Sequence, residues 1–176
     1  MKFRCAGLTP ESIVDGPGYR FTVWTQGCPH NCEGCHNPQT HDPAGGFEAD
    51  TEEVFRQIIS DPLLDGVTLS GGDPFYQAKP MADLARKIHA YEGFKLNVIA
   101  YTGFTYEELI ADANEENGFM ELLRECDYII DGRFELAQRS LELKFRGSPN
   151  QRFIDVKKSL DKGVPVVIDD ETLSMM

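Results

Sequence analysis

Almost every stretch of this chain that reads as a β-strand runs into a polar loop and then into a helix, and that order constrains the fold more than any other feature. Tyr19 to Gln26 is rich in β-formers, and Gly66 to Ser70 is a short apolar run of the buried-strand type. Lys95 to Tyr101, Cys126 to Asp131 and Val164 to Ile168 also read as strands. Between them lie helical patterns. Thr51 to Ser60 opens with Asp50 as N-cap and Glu53 as its capping-box partner. Ala78 to Tyr91 carries Met81, Leu84, Ala85 and Ile88 at helical spacing, and Thr105 opens a helix running to Ala113. Gly118 to Glu125 and Val156 to Lys162 complete the set. Alternation of this kind predicts an α/β fold with a mostly parallel sheet and right-handed crossovers, either open or curled toward a barrel. Ligands in such folds sit at the carboxyl ends of the strands. Gln26-Gly27-Cys28, Ser70-Gly71-Gly72-Asp73, Tyr101-Thr102-Gly103 and Asp131-Gly132-Arg133 all follow strands, so one shared site is expected there.

The 176 residues have no internal repeat, low-complexity tract or linker, and residues 1–176 read as one domain. A formal net charge of −12 argues against a general nucleic-acid binder, which needs clustered Lys and Arg. The acidity reads as a solvated, self-repelling surface. No apolar run approaches the roughly 20 residues of a membrane helix, and Met1-Lys2-Phe3-Arg4-Cys5 lacks the apolar core of a signal peptide. A cytoplasmic protein is therefore expected.

Five cysteines are present, and Cys28, Cys32 and Cys35 lie within eight residues as C-x3-C-x2-C. In a reducing compartment such clustering points to a metal or cluster site rather than to disulfides. Thiolates ligate both iron–sulfur clusters and structural zinc. Three thiolates on a four-iron cubane leave one iron open, which lets a site hold a substrate. A Cys3His zinc site, with His30, His36 or His41 as fourth ligand, stays open on spacing alone, although zinc prefers paired C-x2-C arms. Cys5 and Cys126 are isolated and read as small buried apolar groups. His89 falls on a helix and reads as a surface or boundary residue.

Cys28, Cys32 and Cys35 match the signature of the radical S-adenosylmethionine (SAM) superfamily, with Gly34 where an aromatic residue is usual. Asp15-Gly16-Pro17-Gly18-Tyr19-Arg20 is a rigid turn feeding a strand. That turn, the cysteine loop and Cys35-His36-Asn37-Pro38 together resemble the glycyl-radical-enzyme activases. Ser70-Gly71-Gly72-Asp73-Pro74 allows close approach of a ligand to backbone. It resembles the family's Gly-Gly-Glu-Pro motif, which holds the SAM amino group, with Asp73 in place of Glu. Phe145-Arg146-Gly147-Ser148-Pro149-Asn150-Gln151-Arg152 resembles a segment typical of activases of the anaerobic ribonucleoside-triphosphate reductase. The resemblance spans roughly residues 10 to 155.

It implies a single-domain partial (β/α) barrel and a [4Fe-4S] cluster on Cys28, Cys32 and Cys35. SAM contacts would come from Gly71, Gly72, Asp73, Thr102, Asp131 and Arg133, an assignment that fits an acid accepting ribose hydroxyls and a guanidinium meeting a carboxylate. Asp15, Arg146, Asn150 and Arg152 would receive the partner reductase. The implied chemistry is one-electron cleavage of SAM, followed by hydrogen abstraction from a glycine α-carbon of the partner. A one-electron reductant such as flavodoxin, no general base and possible homodimer formation belong to the same expectation. Two alternatives are an activase of another glycyl radical enzyme, such as pyruvate formate-lyase, and a non-catalytic zinc module.

Overall fold

The computed structural model describes residues 1–176. Eight strands form one sheet: β1 (Lys2–Ser12), β2 (Arg20–Thr25), β3 (Phe47–Asp50), β4 (Gly66–Gly71), β5 (Asn97–Tyr101), β6 (Tyr128–Asp131), β7 (Arg152–Asp155) and β8 (Val166–Val167). Their spatial order is β3-β1-β2-β4-β5-β6-β7-β8, so β3 and β8 are the edges of an open sheet. Six helices accompany them: α1 (Thr51–Ile59), α2 (Ala78–Ala90), α3 (Tyr106–Asp112), α4 (Phe119–Glu125), α5 (Val156–Lys162) and α6 (Asp170–Leu173).

The expected parallel sheet is present only in the middle. The β2–β4, β4–β5 and β5–β6 pairs are parallel, each joined by a connection that contains a helix. Both margins are antiparallel: β1 with β2 and β3, β7 with β6 and β8. For β1 and β2 the reason is connection length. Parallel neighbours need a crossover of a dozen or more residues, usually helical. Between Ser12 and Arg20 there is room only for a turn, so β2 returns alongside β1. The sheet is therefore mixed rather than mostly parallel, and β1, β3 and β7 extend it beyond the expected strands. The final strand shrinks to Val166–Val167.

Local chemistry explains the helix starts. The Asp50 side chain accepts from Glu52 N at 2.9 Å, but Glu53 does not complete a capping box. Thr105 does form one, with Glu108. Alternation along the central strands sorts the two faces. Phe21, Val23, Val67, Leu69, Val98 and Ala100 join helix residues in a core of 28 buried side chains. The opposite face carries Arg20, Thr22, Trp24, Thr68, Ser70 and Tyr101, a polar set that no core helix covers. Toward β7 that face becomes apolar, where Ile99, Ile130 and Phe153 pack on Leu173 of α6.

Candidate active site

On that polar face, at the carboxyl ends of the parallel strands, lies an open cavity of about 400 Å³. Each expected loop contributes to its wall: Cys28 after β2, Gly71 and Gly72 at the end of β4, Thr102 and Gly103 after β5, Gly132 after β6. Cys32 and Cys35 complete the thiol set, and all three cysteines are half-buried and unbridged. The chain reaches this geometry through tight turns. Gly71 has φ +103°, and a Cβ there would strike the Thr25 backbone. Gly72 N donates to Thr25 O at 2.8 Å and Asp73 N to Gly27 O at 2.9 Å, so the cysteine loop is stitched to the β4 loop.

Five of the expected side chains do not line the cavity. Asp73 is fully buried: its Oδ1 accepts from Phe75 N, and its Oδ2 accepts from Thr102 Oγ1 and Gly103 N and meets His30 Nε2 at 2.5 Å. Asp131 is also fully buried, accepting from Tyr106 N at 2.7 Å and from Arg152 Nε and Nη2 at 3.0 and 2.6 Å. Arg152, expected at a docking face, is thus the internal partner of Asp131 and also reaches Glu107 at 2.6 Å. The Asp131 carboxylate, foremost among these contacts, pushes the Arg152 guanidinium pKa up. Arg133 makes a two-pronged, half-exposed pair with Glu108 at 3.0 and 3.2 Å. Asn150 donates to Arg133 O at 2.7 Å. In each case a donor or acceptor on a neighbouring element satisfies the group before a ligand arrives.

Asp15 and Arg146 do face the cavity. Ser12 Oγ and Thr22 Oγ1 donate to Asp15 Oδ2 at 2.6 and 3.2 Å, and Thr68 Oγ1 donates to Asp15 O at 2.8 Å. Fully buried Arg20 braces the same turn by donating to Thr68 Oγ1 at 2.7 Å and Pro17 O at 3.0 Å. Burial pulls its pKa down to about 10, which still leaves it charged at neutral pH. Arg146 reaches Asp170 at 2.5 Å and Gln151 O at 3.1 Å. Gln151 accepts from Gly147 N and Ser148 N and donates to Gly132 O, which ties the arginine-rich loop to the end of β6.

Several wall residues lie outside the segments that the sequence marks for the site: Trp24, Arg139, Ser140, Leu141 and Leu143. The alternation of β2 would have found Trp24, which shares a face with Arg20 and Thr22.

The donor set fits a thiolate-bound cluster. Burial raises the Cys28 thiol to about 11 and also raises Cys32, so iron must displace a proton from each. No three His, Cys, Asp or Glu side chains are grouped to hold a single metal ion. His30, the first candidate for a zinc ligand, is spent on Asp73; the His36 ring lies 5.2 Å from that of Phe134. A family described as a 4Fe-4S single cluster domain matches residues 14–154. Three proteins named anaerobic ribonucleoside-triphosphate reductase-activating protein are similar over most of their length. The phage T4 protein is 33% identical over 149 residues, covering 82% of this chain and 89% of its own. The Vibrio cholerae protein is 35% identical over 150 residues, covering 81% and 91%, and that of Escherichia coli K12 33% over 150 residues, covering 81% and 92%. The chain belongs to this family of activating proteins. The family match includes the cysteine loop, the three further strand-end loops and the Arg146–Arg152 segment, so the whole cavity wall lies inside it.

Proposed function

We propose that this chain is the activating enzyme of an anaerobic ribonucleoside-triphosphate reductase, holding a [4Fe-4S] cluster on Cys28, Cys32 and Cys35 with SAM beside it. The carrying observation is the convergence of three unbridged thiols and three further strand-end loops on one cavity, in a chain whose relatives bear that name. When bound, the cluster and SAM supply the one-electron chemistry needed to take hydrogen from an unreactive glycine α-carbon.

The residues of the chain do the positioning. The three cysteines offer one thiolate for each of three irons. Gly71 and Gly72 present bare backbone to the cavity, and Thr102 borders it. Asp131 and Arg133 act on SAM through the loops they hold: Asp131 joins the starts of α3 and β7, and Arg133 pins the β6 loop to Glu108. Asp15 sits at the cavity wall with its carboxylate already oriented by Ser12 and Thr22, which suits it to receive the partner's glycine loop. Arg146 lies on the same wall. The cavity is open, and a large protein partner would complete its cover and exclude water.

The test mixes anaerobically reconstituted protein with its own organism's reductase, a reductant and SAM. A glycyl radical detected by electron paramagnetic resonance, together with 5′-deoxyadenosine release, is expected. Cys28→Ala, Cys32→Ala and Cys35→Ala should abolish both signals, whereas Cys126→Ala should retain the cluster. Asp15→Ala should still cleave SAM but leave the reductase without its radical. SAM cleavage by the wild type with no radical on the reductase overturns the activase reading.

A further inference from the structure

We propose that His30 and Asp73 form a buried positioning couple that clamps the cysteine loop to the ends of β4 and β5, and that Asp73 acts through this couple rather than by touching the occupant of the cavity. This rests on the cluster reading above, and it concerns how the chain holds the cysteines rather than what they bind.

Asp73 turns nothing toward a ligand. Phe75 N donates to Oδ1, Thr102 Oγ1 and Gly103 N donate to Oδ2, and His30 Nε2 meets Oδ2 at 2.5 Å. The carboxylate is fully buried, and the cavity wall beside it is made of His30, Gly71, Gly72, Thr102 and Gly103. An amine entering the cavity meets that wall and not the acid.

His30 is fitted as closely as it is bonded. Its side chain is 4% exposed, and its ring meets the edge of Phe104 with centroids 4.5 Å apart. A Cβ at Gly103 would run into the imidazole, so only glycine leaves room for it. His30 stands between Cys28 and Cys32 in the sequence. The contacts of the ring therefore anchor the backbone segment that carries both thiols. The acid and the imidazole are complementary in length: with one more methylene, a Glu at position 73 would displace the ring or push into the cavity.

The experiment compares His30→Ala, His30→Gln, Asp73→Asn and the His30→Ala/Asp73→Asn double variant, each as full-length chain reconstituted anaerobically. The first readout is the rate at which a chelator removes iron, followed by cluster absorbance. His30→Ala and Asp73→Asn should each lose iron about 10–100-fold faster than wild type, the usual cost of removing a group that orients a metal ligand. The double variant should be no worse than the worse single one, because both break the same contact. His30→Gln should retain iron close to the wild-type rate, since its amide N–H reaches the same oxygen. The second readout, hydrogen exchange at the Gly103 amide, needs no iron and should quicken in both alanine and asparagine variants. Wild-type iron retention in His30→Ala, no rescue by Gln, or weaker SAM binding in Asp73→Asn at unchanged iron retention would each overturn the couple. A wild type that takes up no iron and sulfide overturns the cluster reading alone, and Gly103 exchange then still decides the couple.

Discussion

At the scale of single residues, the site is defined by which charges are satisfied inside the protein. Arg152 and Arg133 both resemble ligand-seeking guanidiniums in the sequence, yet their surroundings differ. Arg152 meets a carboxylate whose side chain is 1% exposed, while Arg133 meets Glu108 with both partners over a third exposed. Removing one half of a buried pair strands the other, whereas an exposed pair contributes little. Arg152→Ala is therefore expected to lower unfolding stability by about 3 kcal/mol, and Arg133→Ala by under about 1 kcal/mol. Urea denaturation of the two variants checks this. Equal losses would mean that the Asp131 carboxylate finds another donor when Arg152 is gone. The buried carboxylates Asp73 and Asp131 thus shape the cavity without entering it, and Gly71 and Gly72 leave it lined by backbone.

At the scale of elements, the helices are fastened to one another by a charged cluster on the far side of the sheet. His89 of α2 bonds Asp127 at 3.0 Å and Glu125 of α4 at 3.2 Å, and Lys157 of α5 reaches Asp127 at 3.1 Å. The Asp127 bond first, then Glu125, raises the His89 pKa against the opposing effect of burial. The sign follows from linkage. A raised folded pKa gives stability that is complete below the unfolded value of 6.5 and fades as pH climbs through the folded value. Stability should therefore fall as pH rises from about 6.5, and His89→Ala should flatten that fall while costing about 1 kcal/mol at pH 6. Denaturant titrations at several pH values read it directly. A slope that persists in His89→Ala would assign the dependence to another group. Helix α3 shows the same economy of contacts: Glu108 completes the capping box with Thr105 and also holds Arg133.

For the whole molecule, the core and the cavity are on opposite faces of the sheet. The 28-residue core packs between strands and helices and includes none of Cys28, Cys32 and Cys35. The fold should consequently outlast its cluster, unlike small domains that a metal holds together. Stripping iron from the reconstituted protein is expected to leave the far-ultraviolet circular dichroism unchanged and the melting transition cooperative. The melting temperature should drop, because a group bound only by the native state stabilises it by mass action. Loss of the cooperative transition on iron removal would show that the cysteine loop is part of the folding unit. No helix is long and apolar enough to cross a membrane.

Element types, the strand-end loops and the grouping of three thiols were legible from the residues themselves, because they depend on local chemistry. Periodicity marks α2 wherever it packs, a Thr before a helix caps it, and three cysteines seven residues apart end to end are held together by the chain. The mixed margins of the sheet were less visible, since β1, β3 and β7 are recognised only by what they pair with. The roles of the polar side chains were decided by the tertiary structure. His30 and Asp73 are 43 residues apart in the chain, Thr102 and Asp73 29, Arg152 and Asp131 21. An acid in a loop reads as a ligand until the donors around it are counted, and the fold brings those donors from distant segments. Whether a carboxylate meets a substrate or a neighbouring side chain is set by that long-range geometry, which no short motif contains.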